Sequence, residues 1–378
     1  MVFARKGEKP QRPYPVEAKI FKGELPRHNA NECEADSELN VKTDKIYLSL
    51  LGKRSYWSYG KQVELISENI YAERIHEGAT IVPRPFWFIK VEVTPHGFNP
   101  ELPPIITTDE PDVAGDFKPP YDRIRIKGNV ESKFIFATLL SKDLVPFGYT
   151  RLRMVVLPVI KENGKWKIIT ADEAEGMGYL GLADWLHKVE TVWERLRGVK
   201  AERMSIYERL DRYKGLTQQS PSVKYRVVYN TSGTYLTAAV VENKPVEFKC
   251  GAQKLQVNGI FIDCTNYCCE IDNVEEAHYL VAVLNSPTVN EAMKPIQARG
   301  LYGPRHICKK VMEFPMPRYN PNNEIHRKLA EMGKLCEVKV NRWLQEHAGD
   351  RLGWRLRGKI REFLAEEITQ IDELVTKL

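Results

Sequence analysis

Residues 171–197, ADEAEGMGYL GLADWLHKVE TVWERLR, decide the fold class. Leu182, Trp185, Leu186, Val189, Val192, Trp193 and Leu196 recur at three- and four-residue steps, the spacing of one apolar helical face. The period differs on both sides. Upstream, Val16 to Phe21, Lys45 to Leu50, Phe86 to Val93, Ile124 to Lys127 and Leu152 to Ile160 are short and rich in β-branched or aromatic residues, which predicts strands. Glu131 to Leu140 reads as a short helix. Downstream, strands are predicted over Tyr225 to Tyr229, Tyr235 to Val241 and Gly259 to Asp263, and a helix over Val274 to Leu284 that ends near Asn285-Ser-Pro.

From Asn323 almost to Leu378 the pattern is helical, with Gly349 and Gly353 marking a junction. Two apolar stripes, Leu329 to Trp343 and Ile360 to Val375, are expected to bury against each other and leave their cations outward. The fold class is α+β: a mixed α/β body followed by a C-terminal helical hairpin. Turn-rich breaks fall at Phe98 to Pro120, read as an exposed loop, at Gly215 to Ser222 and at Met316 to Asn323. They divide the chain into a β-rich part over 1–97, an α+β region with central helices over 98–222, an α+β core over 223–318 and the hairpin over 319–378.

The 378 residues are 43% hydrophobic and 28% charged, enough apolar content for real cores, so whole-chain disorder is excluded. No stretch approaches the roughly 20 apolar residues of a membrane-spanning helix. The first nine residues lack the apolar core of a secretory signal. Seven irregularly spaced cysteines fit reduced thiols better than a disulfide framework. The expectation is a cytoplasmic protein without a membrane partner. Net charge is +6, but Arg299 to Arg361 holds 15 Lys/Arg against 6 Asp/Glu, a surplus of 9. The remainder therefore sums to −3. A local basic field of this kind neutralises phosphates, although a solvated helical surface reads as well from composition alone.

Catalytic patterns fail one by one. Lys118-Pro-Pro-Tyr121 has the shape of the loop that holds an extruded adenine in amino-group DNA methyltransferases, but Lys118 stands where a polar acceptor is needed. No strand leads into a Gly-rich turn that would seat a nucleoside cofactor, and Gly176 to Gly181 lies within the helical period. Asp112, Asp116 and Lys118 resemble a nuclease signature but share a Pro-rich loop. Cys250, Cys264, Cys268 and Cys269 are spaced poorly for a tetrahedral metal site, and adjacent cysteines on a strand face opposite ways. No catalytic, cofactor-binding or metal residue is assigned. Catalysis by this chain alone is not expected.

Basic and aromatic residues interleave in three places. Lys53-Arg-Ser-Tyr-Trp-Ser-Tyr-Gly-Lys61 offers Lys53, Arg54 and Lys61 to phosphates, and Tyr56 and Trp57 for stacking on a base; an inward-packed hairpin turn reads equally well. Arg74 and Arg84 flank Gly78 and Pro83, and Arg84 could fork onto guanine or a phosphate, or brace the turn. The densest basic loop, Ala298 to Lys310, supplies Arg299, Tyr302, Arg305, His306, Lys309 and Lys310, with Gly300 and Gly303 permitting close backbone approach. All of these are candidate DNA-binding residues.

Several stretches carry a resemblance in this order: Gly78 to Phe88 (GATIVPRPFWF), Leu139 to Gly148 (LLSKDLVPFG), Glu275 to Ser286 (EEAHYLVAVLNS), Arg305 to Pro317 (RHICKKVMEFPMP) and Asn320 to Leu335. The chain resembles the C-terminal target-recognition region of the large adenine-specific DNA methylases of restriction–modification systems, especially the fused type IIG enzymes. The order of a Leu-Asn-Ser helix, a loop, a Pro-rich strand and a long helix is also similar to type I specificity subunits. The resemblance implies sequence-specific recognition of double-stranded DNA for a methyltransferase or restriction subunit. There a methyltransferase domain flips an adenine and methylates N6 from S-adenosylmethionine. That domain has no counterpart in this sequence, so the cofactor is expected in a partner or missing domain. The alternative is an adenine-N6 methyltransferase fragment, or a diverged enzyme using S-adenosylmethionine. Cys268 and Cys269 stand where the resemblance leads one to expect aromatics.

Overall fold

The computed structural model describes residues 14–24, 31–52, 54–59, 69–297, 299–300, 303–348 and 355–378. A four-stranded antiparallel sheet, in the order Ala238–Glu242, Tyr225–Asn230, Asn266–Ile271, Ile75–Glu77, separates two hydrophobic cores. Side chains alternate across a pleated strand. Val228, Ala239 and Cys268 therefore enter one core, and their neighbours Val227, Ala238 and Cys269 enter the other.

The first core holds the sheet Arg153–Val156, Ile135–Leu139, Ile260–Ile262, whose last pair is parallel, and the antiparallel sheet Ile89–Val91, Pro104–Thr107, Lys127–Asn129. The helix Leu180–Leu196 packs on it through Leu182, Trp185, Leu186, Val189 and Trp193. Its first amides, Gly181 and Leu182, donate to the Glu131 carboxylate at 3.0 and 2.9 Å. A negative charge thus meets the positive end of the helix. The second core lies under the helices Val274–Asn285, Pro287–Met293, Glu324–Glu346, Leu356–Phe363 and Ala365–Val375. An antiparallel meander of Val16–Lys22, Asn40–Leu51 and Arg54–Ser58 precedes both. Antiparallel pairing dominates and the C-terminal helices form their own run, so the fold is α+β. Among the described residues no helix is long and apolar enough to cross a membrane.

Five expectations are corrected. Glu131 to Leu140 is a single turn followed by the strand Ile135–Leu139, every residue of which is buried. A strand covered on both faces reads as an unbroken apolar run, which periodicity cannot tell from a helix. Phe86 to Val93 divides into the one-turn helix Arg84–Trp87 and the strand Ile89–Val91. The supposed exposed loop at Phe98 to Pro120 contributes the strand Pro104–Thr107, with Ile105 and Thr107 buried. Residues 171–197 form two helices, Ala171–Gly176 and Leu180–Leu196, parted by Gly178 at φ 82°. Among the described residues the C-terminal region has three helices rather than two, and its cations do not all face outward.

Arg357 donates from Nε to the Leu144 carbonyl at 2.8 Å and from Nη2 to that of Ser141. Arg361 donates to the Leu236 carbonyl at 2.7 Å and lies over the Tyr235 ring. Burial lowers both guanidinium pKa values to about 10, with like-charge repulsion from Arg361 adding at Arg357. Part of the C-terminal basic surplus is therefore structural.

Candidate nucleic-acid interface

A cleft of about 1100 Å³ is lined by side chains from six short segments. Arg84 opens the helix Arg84–Trp87, and Lys118 and Tyr121 follow the helix Pro111–Ala114. Trp193 comes from the helix Leu180–Leu196, and Val199 and Lys200 from the single turn Val199–Ala201. Arg209, Arg212 and Tyr213 come from Ile206–Leu210 and the turn after it, and Cys264 and Thr265 follow the strand Ile260–Ile262. The cleft thus gathers five cations, Arg84, Lys118, Lys200, Arg209 and Arg212, against Glu77 and Asp116. Asp116 is already held by Lys142 at 2.6 Å. Among the described residues none of the five cations has an ion-pair partner. Burial and the charge of Arg212 both push the Arg209 pKa below the usual guanidinium value. Arg209 and Arg212 thus repel each other, and cations without ion-pair partners gathered in one cleft favour an anion.

The floor is aromatic. Tyr121 stacks on Trp193 with ring centroids 6.1 Å apart and planes 14° apart. Arg84 packs its guanidinium 5.2 Å over Phe88, and its Nη1 is buried without a hydrogen-bond partner. Within reach of its charge lies the fully buried Asp263. One carboxylate oxygen accepts from the Thr265 amide and hydroxyl at 2.9 and 2.7 Å, and the other has no partner. Burial pushes the Asp263 carboxyl up, opposed by the nearby Arg84 charge. Burial likewise drives the Cys264 thiol far up, which keeps it protonated and unreactive.

The other sequence candidates are placed as follows. Lys53, Lys61 and Tyr302 lie outside the described residues, and only the backbone of Arg299 is described, in the two-residue strand Arg299–Gly300. Arg54 is paired at 2.9 Å with Glu313, at the end of the turn Cys308–Glu313 that continues the third basic segment. Tyr56 is half-buried. Trp57 is exposed and donates to the Tyr14 hydroxyl. Arg74 bonds the Glu270 carbonyl and Glu276 and lines a different, smaller cleft. Arg305, His306 and Lys309 are exposed and Lys310 is half-buried. Thr231 ties this segment to the main cleft. Its hydroxyl donates to the Thr265 carbonyl at 2.9 Å, and its own carbonyl accepts from the Ile307 and Cys308 amides. Arg84 is thus the sequence candidate that lines the cleft, with residues 305–310 one turn away.

No protein-family model matches the chain, and no curated protein matches it. Solved structures do. The chain is similar to the type IIL restriction–modification enzyme MmeI, solved in complex with DNA, with a TM-score of 0.48 and 12% identity over 90% of this chain and 37% of that one. It is also similar to the type IIG restriction endonuclease BpuSI, with a TM-score of 0.32 and 15% identity over 81% of this chain and 32% of that one. The chain spans about a third of the length of each.

The DNA-binding candidates read from the sequence did not include Lys118, weighed there only in the Lys-Pro-Pro-Tyr and nuclease-like patterns, nor Lys200, Arg209, Arg212 and Tyr213. A signal existed for three of them: Arg209-Leu-Asp-Arg-Tyr-Lys214 interleaves three cations with an aromatic just before the Gly215 break. The nuclease-like acids Asp112 and Asp116 are held in ion pairs with Arg151 and Lys142, and neighbouring acids are paired as well. Arg151 bonds Asp112, and Arg153 bonds Glu110 and Asp143, each at 2.6 Å. Among the described residues, the three-member group with metal-ligand spacing is Asp172, Glu175 and His187, all exposed.

Proposed function

We propose that this chain reads the sequence of duplex DNA for an adenine-N6 methyltransferase of the restriction–modification type. In this reading the S-adenosylmethionine chemistry resides in another chain or another segment. The observation that carries it is the cleft, where five cations without ion-pair partners among the described residues surround an aromatic floor. Phosphates supply the missing counter-charge and fix the register of the duplex. Arg84, held against Phe88 with a free buried donor, is the group suited to a base edge. The resemblance of Gly78 to Phe88 and of Arg305 to Pro317 to target-recognition regions supports the same reading.

The test is selection of the purified chain on a randomised duplex pool at two salt concentrations. An enriched motif that persists at the higher salt is the expected result. Retention without enrichment would leave a backbone binder, and no retention at low salt would overturn the reading.

A further inference from the structure

Tyr213 stands on the rim of the cleft with 77% of its surface exposed. Its backbone is left-handed, φ 57°, and so is that of Lys214, φ 58°. Two successive left-handed residues are a place for glycine or asparagine, and a bulky ring there is carried at a conformational cost. The surroundings enforce it. The Asp211 carboxylate accepts from the Leu216 and Thr217 amides at 3.0 and 2.9 Å and from the Thr217 hydroxyl at 2.7 Å. Gly215 is pressed so closely on the chain at Gly78 that a Cβ there would lie 2.6 Å from the Gly78 carbonyl oxygen. The ring is also held upright: Arg212 lies 4.8 Å over it and donates to its hydroxyl at 3.0 Å. A rigid pedestal therefore presents an aromatic face and a cation together beside uncompensated positive charge. An apolar ring held out in water gains by being covered, and a nucleobase is the π-face that comes with an anionic backbone.

We propose that Tyr213 is the base-engaging side chain of the cleft, stacking on a base that is partly displaced from the helical stack while Arg212 meets the flanking phosphate. This rests on the reading of the cleft as a duplex-DNA site. Opening a base costs least where pairing is already broken. Wild-type protein should therefore bind a short fluorescent duplex with a single central mismatch more tightly than the fully paired duplex.

The deciding variants are Tyr213→Gly, which accepts the left-handed backbone without a ring, and Tyr213→Trp, which keeps a ring. Tyr213→Gly should bind the mismatched duplex on the order of tenfold more weakly, losing the preference. Its salt dependence should not change, because no charge is removed. Tyr213→Trp should retain the preference, and Arg212→Ala should lower the salt slope by about one. A Tyr213→Gly protein with wild-type affinity for both duplexes overturns the inference and leaves the DNA reading standing. Wild-type protein that binds neither duplex at low salt overturns both.

Discussion

Among the described residues, Arg84 carries a buried guanidinium nitrogen without an acceptor, and Asp263, which feels the Arg84 charge, has a buried oxygen without a donor. An unmet buried donor costs about 1–3 kcal/mol, a cost that a ligand atom completing the bond removes. If that atom belongs to a base, Arg84→Ala should weaken binding to the preferred duplex by ~1–3 kcal/mol and relax the sequence preference. Equal losses on preferred and scrambled duplexes, measured side by side, would reassign Arg84 to the DNA backbone. Arg84 was legible in the sequence because it sits between two prolines that restrict the backbone. Arg209, in a helix of five residues, and Arg212, in the turn after it, leave no periodicity to register, and their only trace is the interleaving of cations and an aromatic before Gly215. Nothing in the order Arg-Tyr-Lys-Gly shows that Tyr213 and Lys214 rather than Gly215 take the left-handed backbone. Lys214 gives a stability test outside the cleft lining. Its conformation costs roughly 1–2 kcal/mol, and glycine's extra chain entropy about 0.5–1 kcal/mol. Lys214→Gly should thus stabilise the fold by about 0.5–1 kcal/mol in denaturant titration, and a lower midpoint would refute the strain assigned to this turn.

Between elements, one close approach is where the helix Glu324–Glu346 crosses Val274–Asn285. A Cβ on Gly333 would lie 2.3 Å from the carbonyl oxygen of His278. Alanine is the better helix former by roughly 1 kcal/mol, yet overpacking of this kind costs about 1–3 kcal/mol. Gly333→Ala should lower the unfolding midpoint. Gly358→Ala, at a helical glycine with open space around it, should raise the midpoint. The apolar stripe of the long helix was visible in the sequence, but its principal partner was not, because a stripe fixes which face is buried and not what covers it.

The same crossing sets a pH dependence. Burial and the neighbouring Glu242 raise the Glu337 pKa from 4.5 to about 7, and burial and Lys334 lower that of His278 from 6.5 to about 4. The two side chains meet at 3.6 Å. A carboxyl whose folded pKa is raised contributes stability below its unfolded pKa and loses it as pH rises toward 7. The histidine has the opposite sign, losing stability as pH falls from 6.5 toward 4. Glu337→Gln should remove the first slope alone. Above pH 7 it should exceed wild type by about 1–2 kcal/mol, allowing for solvent at a side chain 29% exposed. Thermal unfolding between pH 5 and pH 8 reads this difference, and parallel curves for the two proteins would refute it.

At the scale of the whole molecule, the cations gathered in the cleft are not where the count of residues put the surplus. The surplus of 9 over Arg299 to Arg361 includes Arg357 and Arg361, which are spent on backbone carbonyls inside the fold. The cleft draws its five cations from Arg84 to Arg212, outside that segment, where the sequence is close to neutral overall. Charge summed along a chain measures a field only when neighbours in sequence share a face, and here six segments converge on one. The consequence is quantitative. If the cleft holds duplex DNA as proposed, four or five phosphates neutralised there give a slope of about −0.9 per contact, so affinity should fall roughly 10²–10³-fold across a fourfold rise in salt. Lys118→Ala combined with Lys200→Ala should lower the magnitude of that slope by about two. The competing track is the exposed segment Arg305 to Lys310, where Lys309→Ala alone would lower it by about one. Isotherms at four salt concentrations separate them. A slope that responds to Lys309 and ignores the Lys118 and Lys200 pair would move the phosphates out of the cleft. A response to both would lay the duplex across the Thr231 turn that joins the two.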